Sequence, residues 1–365
     1  MKIKKYTLLV GCFLLCITAI LHAADKVMVI TTFSDFATIA KEIGGDFIDV
    51  DYLSYGDQDP HFVPPKPSLA LKLKKADVLV ATGCDLEMWL PTLMDKARNS
   101  KIMDGAVGFV TASPGIDILE KPETISRSEG DIHVIGNPHI QTSAINWKKI
   151  SENILIGLKK VDPQNAEFYE TNQQAFVNKV DRALFGDELV ELFGGDQLEA
   201  LLYAGTLFDF LEREYQGEKL LNKLGGWIKK ALPFRGKEII AYHKNWSYFA
   251  KDFGLTVLGY IEVKPGIPPT PKHVENIIQL IQDSGVDLML VGSYFERRKP
   301  MTISQKTGIK ALFLPVSVGG LPELTDNFKL MDYWIDQINE AIQAEDADSQ
   351  EHPGRHRERR GHREH

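Results

Sequence analysis

The run Asp77-Val78-Leu79-Val80-Ala81 decides the fold class, together with the helical pattern that follows it from Leu86 to Ala97. A short apolar run rich in β-branched residues predicts a buried strand. A strand that leads directly into a helix is the repeating unit of a parallel sheet covered by helices on both faces. This stretch therefore predicts an α/β fold.

The same alternation continues in both directions along the chain. The first half has predicted strands at 27–30, 47–53 and 77–81, and helices at 36–43, 68–75 and 86–97. The second half has predicted strands at 238–242, 255–261, 286–291 and 311–316, and helices at 247–253, 271–283 and 328–344. Between them, Trp147 to Arg182 is predicted to be helical, with a break at Pro163. We expect two parallel-sheet α/β lobes joined by long helices, with a cleft between the lobes.

The N-terminus has the order of a secretory signal peptide. A short basic region at 1–5 precedes an apolar run at 6–21, and small residues around Ala23 offer a cleavage site. We therefore predict a signal peptide at 1–24 and a mature protein in the periplasm. The alternative is a lipid anchor through Cys12, because Leu9-Val10-Gly11-Cys12 resembles a lipoprotein box.

The remaining domain boundaries follow from composition and pattern. We expect an N-terminal lobe at 25–146, a linker with a helical insertion at 147–235, and a C-terminal lobe at 236–344. The tail at 345–365 is charged and histidine-rich without an apolar pattern, so we expect disorder there.

Charge and cysteine content narrow the function classes. A formal net charge of -8 disfavours nucleic acid as a partner, because phosphates require basic patches. Of the three cysteines, only Cys84 lies outside the predicted signal peptide, so we expect no intrachain disulfide. We interpret Cys84 as a small packed residue. The chain also lacks the Gly-x-x-x-x-Gly-Lys-[Ser/Thr] loop of an ATPase.

Three histidines stand where a ligand in the cleft is expected. His61 follows the second predicted strand, His139 follows Pro138, and His243 directly follows the strand at 238–242. Three neutral imidazoles from separate loops can surround one zinc ion, and Glu296 is our candidate for an oxygen ligand that closes the tetrahedron. A single loop histidine is more often solvated, so the residues alone leave the metal site an open question. His133 is an alternative ligand or feeder.

Several motifs resemble the metal-binding solute-binding proteins of ABC importers for zinc and manganese. Their order along the chain carries the resemblance, and it covers most of Lys26 to Ala344. The stretches are Asp59-Pro60-His61, Ala81 to Leu90, Gly136-Asn137-Pro138-His139, Val161 to Tyr169, and Tyr242 to Ala250.

The resemblance implies a binding protein and not an enzyme. It implies two lobes bridged by a long rigid linker helix, high-affinity capture of zinc, and delivery to an ABC permease that is driven by a separate ATPase subunit. Histidine at the third ligand position is typical of zinc-type members, so His243 indicates zinc, with manganese as the alternative. We expect a monomer.

Several features depart from the family pattern, and other functions remain open. The segment 186–236 is longer than expected, and the sequence around Glu296 matches the fourth-ligand motif imperfectly. A periplasmic zinc chaperone or an adhesin could use the same site. A zinc hydrolase is disfavoured, because neither His-Glu-x-x-His nor Gly-x-Ser-x-Gly is present.

Overall fold

A computed structural model describes residues 26–122 and 135–351, with side chains through residue 344. The predicted signal peptide with Cys12, the alternative ligand His133 and the histidines of the tail lie outside these residues. In the described part of the chain, no helix is long and apolar enough to span a membrane.

The N-terminal lobe is built on a four-stranded parallel sheet in the order β2-β1-β3-β4. Nearly every residue of β1 is buried, as expected of a strand with helices on both faces. The elements are β1 (Val27–Phe33), α1 (Ser34–Gly44), β2 (Ile48–Ser54), α2 (Pro67–Lys75), β3 (Val78–Ala81), α3 (Leu90–Ala97) and β4 (Phe109–Thr111).

Two helices link the lobes, with a break where the sequence predicted one. α4 (Ala144–Val161) ends at Asp162, Pro163–Asn165 forms a 3₁₀ turn, and α5 (Ala166–Phe185) follows. Pro163 cannot donate the backbone hydrogen bond that a continuous helix requires. The linker is therefore two packed helices.

The segment after α5 forms a small helical insertion. Its elements are α6 (Asp187–Phe193), α7 (Gly195–Tyr203), α8 (Leu207–Leu211), the hairpin β5 (Glu214–Tyr215) and β6 (Glu218–Lys219), and α9 (Gly226–Lys230). Trp227 of α9 packs between Trp147 of the linker and Phe328 of the C-terminal lobe, with ring centroids 5.9 and 5.7 Å away. The insertion thus packs against both the linker and the second lobe.

The C-terminal lobe repeats the architecture with a parallel sheet in the order β10-β9-β7-β8. Its last helix continues to Glu351, into the segment expected to be disordered. The elements are β7 (Glu238–Ala241), α10 (Ser247–Phe253), β8 (Thr256–Tyr260), α11 (Pro271–Ser284), β9 (Leu288–Gly292), α12 (Arg298–Thr307), β10 (Lys310–Leu314) and α13 (Asn327–Glu351).

The two lobes meet closely at the carboxyl ends of their strands. Gly56, just after β2, lies so close to the opposite lobe that an added Cβ would come within 2.2 Å of the Val318 carbonyl oxygen. Ser34 Oγ donates a hydrogen bond to the same carbonyl at 2.7 Å. This arrangement confirms the two-lobed α/β fold and brings the loops that follow the strands of both sheets together.

Candidate metal centre

Three of the four predicted ligands come together between the lobes. One ligand nitrogen from each of His61, His139 and His243 lies within 4.8 Å of the other two. The ring centroids are 5.0 to 5.3 Å apart, and the ring planes cross at 67 to 90°. All three side chains are buried. Two nitrogens on one tetrahedral zinc ion lie about 3.3 Å apart, given a Zn–N bond of about 2 Å. The three nitrogens would therefore have to approach one another by at most about 1.5 Å to share an ion.

His61 is held by the loop that follows β2. The Asp59 carboxylate accepts hydrogen bonds from the His61 backbone N–H at 3.0 Å and from its Nδ1 at 2.8 Å. Trp89 Nε1 donates to the Pro60 carbonyl at 2.9 Å and ties this loop to the N-terminal lobe. Because Nδ1 donates to the carboxylate, Nε2 carries the lone pair that a metal ion requires.

His139 stands directly before the 3₁₀ turn Ile140–Thr142 that leads into α4. The side-chain oxygen of Asn137 accepts the His139 backbone N–H at 3.0 Å. The amide of Asn245 from the C-terminal lobe lies 3.5 Å from His139 Nδ1, and its nitrogen lies 2.9 Å from the hydroxyl of half-buried Tyr294. A neutral amide therefore faces this imidazole, whereas a carboxylate faces His61.

His243 enters from the C-terminal lobe, just past the end of β7. Its Nδ1 donates to the backbone carbonyl of Glu262 at 3.1 Å, which again leaves Nε2 for a metal ion. The carboxylate of Glu262 lies 4.0 Å from the same Nδ1 and accepts the backbone N–H of Gly266 at 3.1 Å. Burial raises the pKa of Glu262, and nearby Asp59 raises it further.

The fourth predicted ligand does not join this group. Glu296 is exposed, and its carboxylate accepts the backbone N–H of Arg298 at 2.8 Å at the start of α12. This local hydrogen bond to a helix start holds the carboxylate away from the histidines. His273 is also outside the group, since its Nε2 lies 2.8 Å from the Tyr260 carbonyl.

The residues that support the ligands were not identified from the sequence, although the sequence contains one signal for them. Asp59-Pro60-His61 and Asn137-Pro138-His139 share a pattern in which an Asp or Asn stands two residues before the histidine. In both, the side-chain oxygen accepts the backbone N–H of the histidine. Asp and Asn commonly cap their own backbone two residues on, so this repeated turn was predictable. The approach of Glu262 and Asn245 depends on tertiary packing and gave no local signal.

Comparison with known proteins shows the family of the chain. The family model for the periplasmic component A of the zinc-uptake complex, ZnuA, matches residues 29–184 and 211–341. The chain belongs to this family. The gap in the match covers α6, α7 and part of α8, which identifies the start of the helical insertion as the segment that departs from the ZnuA pattern.

Curated relatives are substrate-binding lipoproteins of ABC transporters. The chain is 24% identical over 327 residues to the manganese ABC transporter substrate-binding lipoprotein PsaA of Streptococcus mitis, with 88% of this chain and 90% of the relative covered. It is also 24% identical over 354 residues to the iron ABC transporter substrate-binding lipoprotein MtsA of Streptococcus pyogenes serotype M6, with 93% and 99% covered. This chain is accordingly a metal-binding substrate-binding component of an ABC importer.

Solved structures share the fold. A crystal structure of ZnuA superposes with a TM-score of 0.64 at 21% identity, covering 87% of this chain and all of that one. The Mn-bound periplasmic metal binding protein of Candidatus Liberibacter asiaticus gives a TM-score of 0.59 at 19% identity with the same coverage. Both structural similarities show a shared fold and nothing beyond the fold.

Proposed function

We propose that this protein captures zinc in the periplasm with high affinity and delivers it to an ABC permease. The observation that carries the proposal is the buried group of His61, His139 and His243, whose ligand nitrogens lie within 4.8 Å of one another. These histidines are the protein ligands, and a water molecule takes the fourth position. The ion is cargo, which the protein binds and passes on unchanged.

The chemistry of the donor set favours zinc over manganese. Imidazole nitrogen suits zinc, copper, iron and nickel, whereas manganese prefers carboxylate and carbonyl oxygen. The two nearby acids, Asp59 and Glu262, face the Nδ1 sides of their histidines. They supply negative charge beside the ion without acting as ligands. Manganese remains the alternative, because the relative from Streptococcus mitis is named as a manganese ABC transporter substrate-binding lipoprotein.

A site whose ligands come from both lobes is suited to delivering the metal ion to a permease. His61 and His139 come from the N-terminal lobe side of the cleft, and His243 comes from the C-terminal lobe. A permease that contacts both lobes could separate these ligands and release the ion, with energy from the partner ATPase subunit. Anchoring through Cys12 is the alternative to free periplasmic protein, since both relatives described above are lipoproteins by name.

Growth under zinc limitation tests this function. A strain without the gene should grow poorly in chelator-treated medium and recover with added zinc or with the wild-type gene. The His139→Ala gene should not restore growth although the protein is exported at the normal level. Recovery by manganese alone would support the manganese alternative. Normal growth of the deletion strain would favour a chaperone or an adhesin.

A further inference from the structure

One carboxylate outside the histidine group joins the loops that carry two of the three ligands. Glu120 lies in the N-terminal lobe, in the loop after β4, and has a φ of 51°. This left-handed conformation is unfavourable for a residue with a Cβ and persists where the surroundings fix it. The Glu120 side chain is 25% exposed.

The C-terminal lobe supplies three groups that face this carboxylate. Ser247 Oγ donates to Oε1 at 3.1 Å, and the Tyr260 hydroxyl donates to the same oxygen. Lys244 Nζ lies 3.5 Å from Oε2. Ser247 and Lys244 belong to the segment that begins at His243, so Glu120 holds the loop of the third ligand from across the cleft.

A fourth contact leads to the second ligand. Asn137 Nδ2 donates to Glu120 Oε2 at 3.1 Å and to the Lys244 carbonyl at 2.9 Å. The Oδ1 atom of the same amide accepts the backbone N–H of His139. Glu120 orients the Asn137 amide, and the Asn137 amide orients the backbone of His139.

We infer that Glu120 is a positioning residue that sets the separation of the His139 and His243 loops and thereby slows release of the bound ion. This role rests on the proposed function. No other carboxylate in the described part of the chain is hydrogen-bonded to Asn137. Glu120 touches none of the three imidazoles in these contacts, so it acts through Asn137 and Lys244.

A matched control is available on the same loop. Asp117 pairs with Lys251 of α10 at 3.2 Å and also crosses between the lobes. Its side chain is 74% exposed, and the pair reaches neither histidine loop. Asp117→Asn therefore removes an interlobe ion pair without disturbing Asn137. Glu120→Gln removes the negative charge that faces Lys244 and replaces one of the two acceptor oxygens of the carboxylate with an NH2 donor.

The experiment measures zinc release into excess chelator from the wild type and the two variants. Glu120→Gln should release zinc about tenfold faster, the lower end of losses on removing groups that orient metal ligands. Asp117→Asn should match the wild type. In an Asn137→Ala background, Glu120→Gln should add less than it does in the wild type, because its route to His139 is already removed while its contacts with Lys244 and Ser247 remain. Equal rates for Glu120→Gln and Asp117→Asn, or full additivity with Asn137→Ala, would overturn the inference.

A metal-free readout separates this inference from the proposed function. Glu120→Gln should shift the imidazole NMR resonances of His139 in metal-free protein, and Asp117→Asn should leave them in place. Unshifted resonances would refute the positioning role even if zinc binds. A wild type that binds no zinc would refute the proposed function, while the resonances still decide the role of Glu120. If Glu120→Gln fails to fold, Tyr260→Phe removes one donor and should shift the same resonances.

Discussion

Asp59 Oδ1 lies 2.8 Å from His61 Nδ1. The carboxylate is thus hydrogen-bonded to one side of a buried imidazole whose ring contacts the other two histidines of the group. Such a pairing fixes the tautomer and ring orientation of the imidazole and makes its other nitrogen a better metal ligand. It also places a negative charge close to the position of a cation. The strength of the site should therefore depend on Asp59 although Asp59 is not a ligand.

Asp59→Asn should weaken zinc binding by about tenfold to a hundredfold, the range typical of groups that orient metal ligands. The amide still accepts a hydrogen bond but carries no charge. Competition with a zinc-binding dye measures the change. Asp57→Asn, an exposed position in the same loop, is the control and should bind as the wild type does. Equal affinities for the two variants would show that the carboxylate behind His61 is irrelevant.

Replacing His243 by glutamate should change the metal preference. A carboxylate oxygen at this position makes the donor set harder, so the ratio of manganese to zinc affinity should rise. Isothermal titration with each metal gives both affinities. His273→Glu is the control, because His273 lies outside the group and should leave the ratio unchanged. An unchanged ratio in the His243 variant would remove His243 from the site.

Asp252 should make stability depend on pH. It is fully buried in α10, accepts a hydrogen bond from Ser143 Oγ at 2.6 Å, and lies near Tyr203 and Glu199. Burial raises the pKa of Asp252 to about 7. The folded state therefore keeps a proton that the unfolded chain loses above about pH 4, and stability falls as the pH rises from there to 7.

The variant Asp252→Asn isolates this effect, because the amide cannot titrate. The difference in melting temperature between the variant and the wild type should shift in favour of the variant by a few degrees as the pH rises from 5 to 8. A change of about 1 kcal/mol in stability shifts Tm by a few degrees. Thermal melts of metal-free protein at both pH values provide the comparison. A constant difference between the two proteins would mean that Asp252 is ionised throughout this range.

The insertion should depend on Lys148, whose side chain is 12% exposed. Lys148 Nζ of α4 contacts Asp181 of α5 at 3.0 Å, and Asp196 and Glu199 of α7 at 2.8 and 2.9 Å. Lys148→Met leaves these acids without their cation and should lower the free energy of unfolding by about 3 kcal/mol. Lys149→Met removes an exposed pair with Glu152 and should cost less than about 1 kcal/mol. Denaturant unfolding measures both, and equal losses would contradict a structural role for Lys148.

Most of the fold was predictable because strong local patterns determine it. Every predicted strand is present within a few residues, and the proline break in the linker is at the predicted position. β4 was missed because it has three residues, too few to show a pattern. α12 was missed because its sequence is polar, with Pro300 and Ile303 its buried residues. Its helical state follows from docking on the second sheet and not from an apolar stripe.

Only those residues of the candidate site could be predicted whose position follows from the local sequence. The three histidines stand at the ends of predicted strands or after a proline, and parallel sheets bring such positions to one edge. Glu296 was predicted as an oxygen ligand because it follows the strand at 286–291, but the nearby start of α12 holds its carboxylate elsewhere. Glu262 and Glu120 reach the histidine loops through tertiary contacts across the cleft, which the sequence alone does not reveal.

The central claim is that three buried histidines bind one zinc ion. The most direct measurement is the metal content of mature protein that ends at residue 344, after equilibration with zinc and manganese together and removal of loosely bound ions. We predict one zinc per chain in the wild type and a loss of that zinc in His61→Ala, His139→Ala and His243→Ala. Predominant manganese, or zinc that persists in all three variants, would contradict the claim.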